Sequence, residues 1–143
     1  MPPDPLPSEL RLGLRSGSVF YFQARELSSA APHFFAVINR DPLGQQLLLL
    51  TVFTSQIEKV RLRNRERPAT VVEFGRSDYP PLDGPTAVDG NTVIRRGLAE
   101  MAELIRTKSV GFHRDVPVAL LDRFRAAVLA SPVVDDGDKD LIR

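Results

Sequence analysis

An unbroken apolar run in the first half of the chain constrains the fold most. Residues 45–55 read QQLLLLTVFTS, in which apolar side chains occupy both odd and even positions. Successive side chains of a β-strand point to opposite faces, so this pattern indicates a strand that is buried on both sides. The run is far shorter than the ~20 residues that a membrane-spanning helix needs. It is therefore predicted to be the central strand of a sheet.

Other short apolar runs predict a β-rich fold around this strand. Strands are expected in SVFYFQ, HFFAVIN and ATVVEF, and a pair of short strands in TAVDGNTVIRR. Helical spacing appears only afterwards, near residues 98–108 and 115–130. Because no helix is expected between strands, parallel βαβ units are excluded. The predicted fold is mainly β, or α+β by element count: a small antiparallel β-barrel followed by one or two C-terminal helices.

The length of 143 residues suits a single domain with one core. Residues 1–16 hold four of the twelve prolines and are expected to form a flexible, extended lead-in. Residues 17–134 are expected to form the barrel-plus-helix domain. The acidic tail, residues 135–143, is expected to fray.

Composition excludes several kinds of chemistry. The chain has no cysteine and only two histidines, His33 and His113, so neither disulfides nor cysteine-based or histidine-rich metal sites are expected. No glycine-rich phosphate loop or dinucleotide fingerprint is present. An enzyme of this sequence is therefore expected to work without metal or cofactor. No signal peptide or membrane segment is recognised, which predicts a cytoplasmic protein that does not associate with membranes.

Residues 54–68 read TSQIEKVRLRNRERP and concentrate positive charge. Five basic and two acidic residues give a local charge of +3 in a chain of net charge +1. Cations at every second position would share one face of a strand, about 6.6–6.8 Å apart. Such a row is either a solvated sheet edge or a surface that follows the phosphates of a polyanion. The five cations are Lys59, Arg61, Arg63, Arg65 and Arg67.

The segment VFTSQIEKVR, residues 52–61, resembles the MazF/PemK/Kid toxin family. That family often shows a threonine, a small residue and a glutamine, followed by an apolar residue and a lysine. Four further segments resemble it less specifically: residues 17–22, 32–41, 89–94 and 120–131. The resemblance implies an SH3-like β-barrel that forms a homodimer. It also implies metal-independent cleavage of single-stranded RNA through a 2′,3′-cyclic phosphate, and neutralisation by a cognate antitoxin.

The resemblance also suggests catalytic residues. His33 falls where the family has its catalytic arginine, and Thr54 falls on the family's threonine. The acid of some members falls at Asp89 or Gly90. His33 can act as base or acid near neutral pH, and the Thr54 hydroxyl can donate to a phosphate oxygen. His113 would complete a two-histidine acid–base pair if the fold brought it close to His33.

RNA binding is expected along the segment that follows Thr54. Ser55, Gln56 and the five cations are its candidates, and Arg61 is expected to hold a phosphate through paired hydrogen bonds. Because His33 replaces an arginine, a second function stays open: a non-catalytic module that binds RNA or protein on the same barrel. A third is inhibition of a protein target, as in the related gyrase inhibitors.

Overall fold

The computed structural model describes residues 6–27 and 30–143. Within them the chain forms seven strands: β1 (Val19–Phe22), β2 (His33–Val37), β3 (Leu47–Val52), β4 (Val71–Phe74), β5 (Thr86–Asp89), β6 (Ile94–Gly97) and β7 (Gly111–His113). Six α-helices accompany them: α1 (Ser8–Gly13), α2 (Pro42–Gln45), α3 (Ile57–Arg63), α4 (Leu98–Arg106), α5 (Val118–Leu129) and α6 (Asp136–Asp140). A short 3-10 helix, Pro68–Thr70, precedes β4. The fold is α+β.

Five of the strands form one antiparallel sheet in the order β6-β3-β2-β1-β7. The apolar run became β3, an interior strand whose Leu48, Leu49 and Leu50 are fully buried. Its prediction as a buried interior strand is confirmed. Strand β7, at one edge of the sheet, was not anticipated from the sequence.

Strands β4 and β5 form a separate two-stranded hairpin. A single bridge between Thr54 and Ala87 joins this hairpin to the end of β3. In the described part of the chain β6 pairs only with β3, and β7 only with β1, so no closed barrel forms. The prediction of a closed barrel is wrong. Closure fails because the segment expected to continue the sheet after Thr54 turns into a helix.

Apolar side chains cover both faces of the large sheet. Helices α1 and α4 cover one face, where Leu10 and Met101 are fully buried. Helix α5 and the hairpin cover the other face, where Phe124 is fully buried. This double cover explains why β3 is apolar at both odd and even positions.

Helices α2, α3 and α4 lie between strands, contrary to the sequence prediction. Helix α3 is the most consequential, because its residues were expected to form a strand. Ile57, Val60 and Asn64 recur at helical spacing; the last two are buried and Ile57 is partly buried. Glutamate, lysine, arginine and leucine are also strong helix formers. The same segment therefore carries two patterns: cations at every second position, which suit a strand, and inward-facing residues at helical spacing. It forms a helix because the helix buries those inward-facing residues.

Residues 6–16 and the C-terminal tail are more ordered than expected, and residues 1–5 of the predicted lead-in lie outside the described residues. Helix α1 buries Leu10 completely, so its residues are not an extended lead-in. In the tail, the Asp135 side chain accepts a hydrogen bond from the Asp138 N–H at 2.8 Å and caps α6, and Ile142 is fully buried. The frayed tail is therefore also a wrong prediction, whereas the domain boundaries stay predictions. No helix in the described ranges has the length and apolar character to cross a bilayer.

Candidate functional site

Helix α3 directs Arg61 away from the other cations of its segment. The Arg61 guanidinium donates to Glu73 through Nε at 2.8 Å and to Glu58 through Nη1 at 2.6 Å. The hydrogen bond from Arg61 also lowers the pKa of the Glu73 carboxyl. Arg61 therefore holds two carboxylates, and a phosphate would have to compete with both.

The other four cations line an open surface pocket of about 540 Å³. Lys59 and Arg63 lie one helical turn apart on α3, and the turn that ends the helix brings Arg65 and Arg67 beside them. Of these four, within the described residues, only Arg63 has a carboxylate partner. We call this the cationic pocket; its lining is Lys59, Leu62, Arg63, Arg65, Glu66 and Arg67. Such a concentration of cations attracts an anion such as phosphate.

Asp89 is the carboxylate that fixes Arg63. Its Oδ2 accepts from Arg63 Nη2 at 2.8 Å and from Nε at 3.1 Å, while its Oδ1 accepts from the Asn91 N–H at 2.9 Å. Burial by itself would raise the pKa of Asp89, but the hydrogen bonds, that of the Asn91 N–H foremost, outweigh burial and lower it. An ionised carboxylate has no proton to donate. The geometry therefore favours a positioning role for Asp89 over that of a general acid.

Asn91 extends this contact into a polar network. Its Nδ2 donates to Asn64 Oδ1 at 3.0 Å and to Thr70 Oγ1 at 2.8 Å, and its Oδ1 accepts from Ser131 Oγ at 2.7 Å. The turn after β5 is thereby tied to the end of α3, to the 3-10 helix and to the end of α5. Sequence reasoning missed Asn64, Thr70 and Ser131, because each is an ordinary polar residue in its local context.

Gly90 lies against the backbone of α5 in the same turn. A Cβ added at this position would stand 2.6 Å from the carbonyl carbon and oxygen of Ala127, closer than atoms can approach without a shift. We expect Gly90→Ala to lower the free energy of unfolding by about 1–3 kcal/mol, as overpacking does. Urea denaturation measures this. The matched control is Gly84→Ala, where a Cβ meets no atom within 4 Å; equal losses in both variants would contradict the prediction.

Thr54 lies where the sheet, the hairpin and α3 meet. Its N–H donates to the Ala87 carbonyl at 3.0 Å, and its own carbonyl accepts from the Ala87 N–H at 2.8 Å. Its hydroxyl accepts from the Gln56 N–H at 3.1 Å and keeps its own proton for another acceptor. Ser55 and Gln56 are exposed and lead directly into α3. Thr54 is thus at the base of the helix that carries the cationic pocket.

The structure brings His33 to the same end of the sheet. His33 begins β2, and the β2–β3 register pairs Phe35 with Val52. The Phe53 N–H donates to the Phe34 carbonyl at 2.9 Å and carries this register one pair further. Continued by one more position, this register would place His33 beside Thr54, whose own backbone bonds to Ala87. The His33 ring is half-buried, and its Nδ1 is buried without a hydrogen-bond partner among the described residues.

His113 does not join His33 in an acid–base pair. His113 is opposite Val19 in the β1–β7 register, whereas His33 is opposite Phe22 in the β1–β2 register. Val19 and Phe22 belong to the cores on opposite faces of the sheet. Because side chains alternate between faces, the two imidazoles point to opposite sides. The suggested two-histidine pair is therefore not formed.

Comparison with solved structures shows that the fold resembles that of an endoribonuclease from a toxin–antitoxin pair. The similar structure is an endoribonuclease in complex with its cognate antitoxin from a mycobacterial species, with a TM-score of 0.50 and 15% sequence identity. The alignment covers 83% of this chain and 93% of that one. No protein-family model and no curated protein matches the chain.

Proposed function

We propose that this chain is a metal-independent endoribonuclease of the MazF/PemK/Kid toxin type, acting on single-stranded RNA in the cytoplasm. The observation that carries the proposal is the position of one segment relative to His33, Thr54 and the cationic pocket. The TSQIEK segment, which resembles that family, begins at the His33–Thr54 end of the sheet and continues into α3 and the cationic pocket. The similarity of fold to an endoribonuclease supports the same class.

The proposed reaction is attack of the RNA 2′-oxygen on the adjacent phosphorus. The 2′-hydroxyl loses its proton to His33, the bond from O2′ to phosphorus forms, and the bond from phosphorus to O5′ breaks. The proton then passes from His33 to the leaving O5′, so charge and protons balance in a 2′,3′-cyclic phosphate and a 5′-hydroxyl. The Thr54 hydroxyl donates to a non-bridging phosphate oxygen and stabilises its developing charge. Ser55 and Gln56 border the reacting phosphate.

The cationic pocket is proposed to hold the phosphates next to the one that is cleaved. In the strand that was predicted, all five cations would have followed the RNA backbone. In the helix the five cations have different partners. Arg61 pairs with Glu58 and Glu73, and Arg63 donates Nε and Nη2 to Asp89 and keeps Nη1 for RNA. Lys59, Arg65 and Arg67 face the same pocket and have no carboxylate partner among the described residues. The pocket therefore suits a short contact of two or three phosphates.

Cleavage in the presence of EDTA tests this function. The purified chain is incubated with long, weakly structured RNA, and the products are examined for 2′,3′-cyclic phosphate and 5′-hydroxyl ends. Those ends in EDTA support the proposal, and intact RNA contradicts it. The family likeness also leads us to propose a homodimer and a cognate antitoxin; the similar mycobacterial endoribonuclease is itself bound to its antitoxin.

A second function is favoured by the state of Asp89. Because Asp89 is already saturated by Arg63 and Asn91, His33 is left as the one titratable group of the proposed catalytic set that is free to exchange a proton. A non-catalytic RNA-binding module would keep the same pocket and lose the reaction. Such a protein would retain RNA affinity in the cleavage assay and leave the RNA whole.

The pocket makes a salt-dependence prediction. Replacing Arg65 and Arg67 together by glutamine is expected to weaken binding of a non-cleavable 2′-O-methyl RNA. The slope of log affinity against log salt should become shallower by about 0.7 for each phosphate that the variant no longer neutralises. A salt titration of fluorescence anisotropy measures both quantities. Arg76→Gln, which removes an exposed cation on the turn after β4, serves as the control and should leave the slope unchanged. Equal slopes in all three proteins would show that the pocket binds no phosphate.

A further inference from the structure

Three aromatic rings on neighbouring strands form a continuous patch at one end of the large sheet. Tyr21 on β1 pairs with Phe34 on β2, and His113 lies on the adjacent β7. The Tyr21 and Phe34 ring centroids are 4.8 Å apart, those of Phe34 and His113 4.9 Å, and those of Tyr21 and His113 5.9 Å. We call these three rings the aromatic platform.

The platform is open to solvent although it lies on the face that α5 covers. Helix α5 packs over the same face farther along, where Val19 and Ala36 are fully buried. Tyr21, by contrast, is 38% exposed, and His113 is exposed as well. The residue opposite Tyr21 on β7 is Gly111, which has no side chain to cover the tyrosine ring. The Tyr21 ring is therefore not covered by a side chain from the edge strand β7.

The platform packs against buried aromatic side chains beneath it. The Phe34 ring contacts the rings of Phe53 and Tyr79, at centroid distances of 6.2 and 6.4 Å. Tyr79 is fully buried, and its hydroxyl donates to the Arg114 carbonyl. Because these side chains are already fixed in the free protein, a ligand that stacks on the platform does not have to order them.

The rings form a corner and not a flat surface. The Phe34 and His113 planes are perpendicular, at 88°, and the Tyr21 and His113 planes meet at 73°. A planar group that stacks on the exposed Tyr21 ring would therefore meet the side of the imidazole. Tyrosine and histidine also carry polar atoms at their tips, which suits an occupant that is flat, aromatic and edged with hydrogen-bonding groups.

We propose that the aromatic platform binds a nucleobase of single-stranded RNA. Aromatic side chains stack unpaired bases, and this stacking tolerates any base because every base presents a π-face. One feature favours a nucleic acid over an apolar protein segment as the occupant: Arg114, an exposed cation, directly follows His113. The platform lies at the same end of the large sheet as His33 but on the other face, because Phe34 and His33 are neighbours on β2. The inference rests on the proposed function in that RNA is the substrate.

Affinity for two matched oligonucleotides tests this proposal. One is a 2′-O-methyl RNA that cannot be cleaved, and the other has the same backbone with abasic sites in place of the bases. Tyr21→Ala and Tyr21→Leu are expected to weaken binding of the first by about 5- to 100-fold. Binding of the abasic oligomer should not change, since its phosphates remain for the cationic pocket. Tyr21→Phe should retain affinity, and Leu12→Ala, which removes another exposed apolar side chain, is the control.

The outcomes separate this proposal from the proposed function. Equal effects of the Tyr21 variants on both oligomers, or no effect on either, overturn the aromatic platform even if RNA is cleaved. Binding that depends on bases and on Tyr21, without cleavage, supports the platform and overturns the nuclease. Absence of RNA binding by the unaltered protein overturns both. Tyr21→Leu keeps an apolar residue on β1, so a loss in Tyr21→Ala that comes from unfolding is recognised by a normal result in Tyr21→Leu.

Discussion

His33→Ala is expected to lower the rate of RNA cleavage by about 10²- to 10⁴-fold, the usual contribution of general acid–base catalysis. His33 begins β2, two positions before Phe35, and Phe35 pairs with Val52, two positions before Thr54, so His33 and Thr54 lie at the same end of the sheet. In the described residues its Nδ1 is enclosed and has no hydrogen-bond partner, which leaves Nε2 as the atom that can reach a substrate. Single-turnover cleavage in EDTA, with enzyme in excess over RNA, measures the chemical step without product release.

The controls for this variant are a cation outside the proposed site and the affinity for RNA. Arg76→Gln, at an exposed cation on the turn after β4, should leave the rate of the chemical step near that of the unaltered protein at saturating enzyme. Affinity of His33→Ala for 2′-O-methyl RNA should stay close to normal, because the cationic pocket is intact. Equal cleavage rates for His33→Ala and the unaltered protein would remove His33 from the mechanism. Loss of RNA affinity together with activity would point to a folding defect, which thermal unfolding detects.

The core of the fold was predictable because its signals are local. The apolar run of β3 and the aromatic runs of β1 and β2 can each be recognised from five or six consecutive residues. All three strands formed where they were expected. Helix α3 was missed for a physical reason. Its cations alternate as they would on a strand, whereas only Ile57, Val60 and Asn64, whose side chains point inward, show the spacing of a helix. Two of these, Ile57 and Val60, are β-branched residues that also suit strands.

The candidate site was predictable only in part. The resemblance led to His33 and Thr54, and the sheet does place them at one end. The contacts of Asp89 with Arg63, and of Asn91 with Asn64 and Ser131, join residues 26, 27 and 40 positions apart. Contacts at such separations depend on how whole elements pack, and a single sequence carries no local signal of them. Asp89, predicted as a catalytic acid, is held by contacts of this kind, and they favour a role in positioning α3.

Asp89→Asn is the second large effect that we expect, and it concerns stability. Arg63 and Asn91 hydrogen-bond to an ionised Asp89 that is only 4% exposed. Hydrogen bonds to a charged group contribute about 1.5–3 kcal/mol, and solvent screens part of the contribution of Arg63, because its side chain is 58% exposed. We expect the free energy of unfolding to fall by about 2 kcal/mol at neutral pH. Since the same contact orients Arg63, RNA affinity should fall as well. Urea denaturation and fluorescence anisotropy measure the two effects.

The pH dependence of this loss identifies its cause. The pKa of Asp89 is lower in the folded chain than in the unfolded chain, so the folded state gains stability above the unfolded value of about 3.9. That gain disappears as the pH falls towards the folded pKa, where the carboxyl takes up a proton. The difference between Asp89→Asn and the unaltered protein should therefore be largest near neutral pH and shrink below about pH 4. Glu58→Gln, at an exposed ion pair of the same helix, is the control and should change stability little. A loss of stability that stays constant from neutral pH into acid would contradict this cause. It would mean that the charge of Asp89 does not hold α3, and that the asparagine side chain of the variant destabilises the fold only through its different shape.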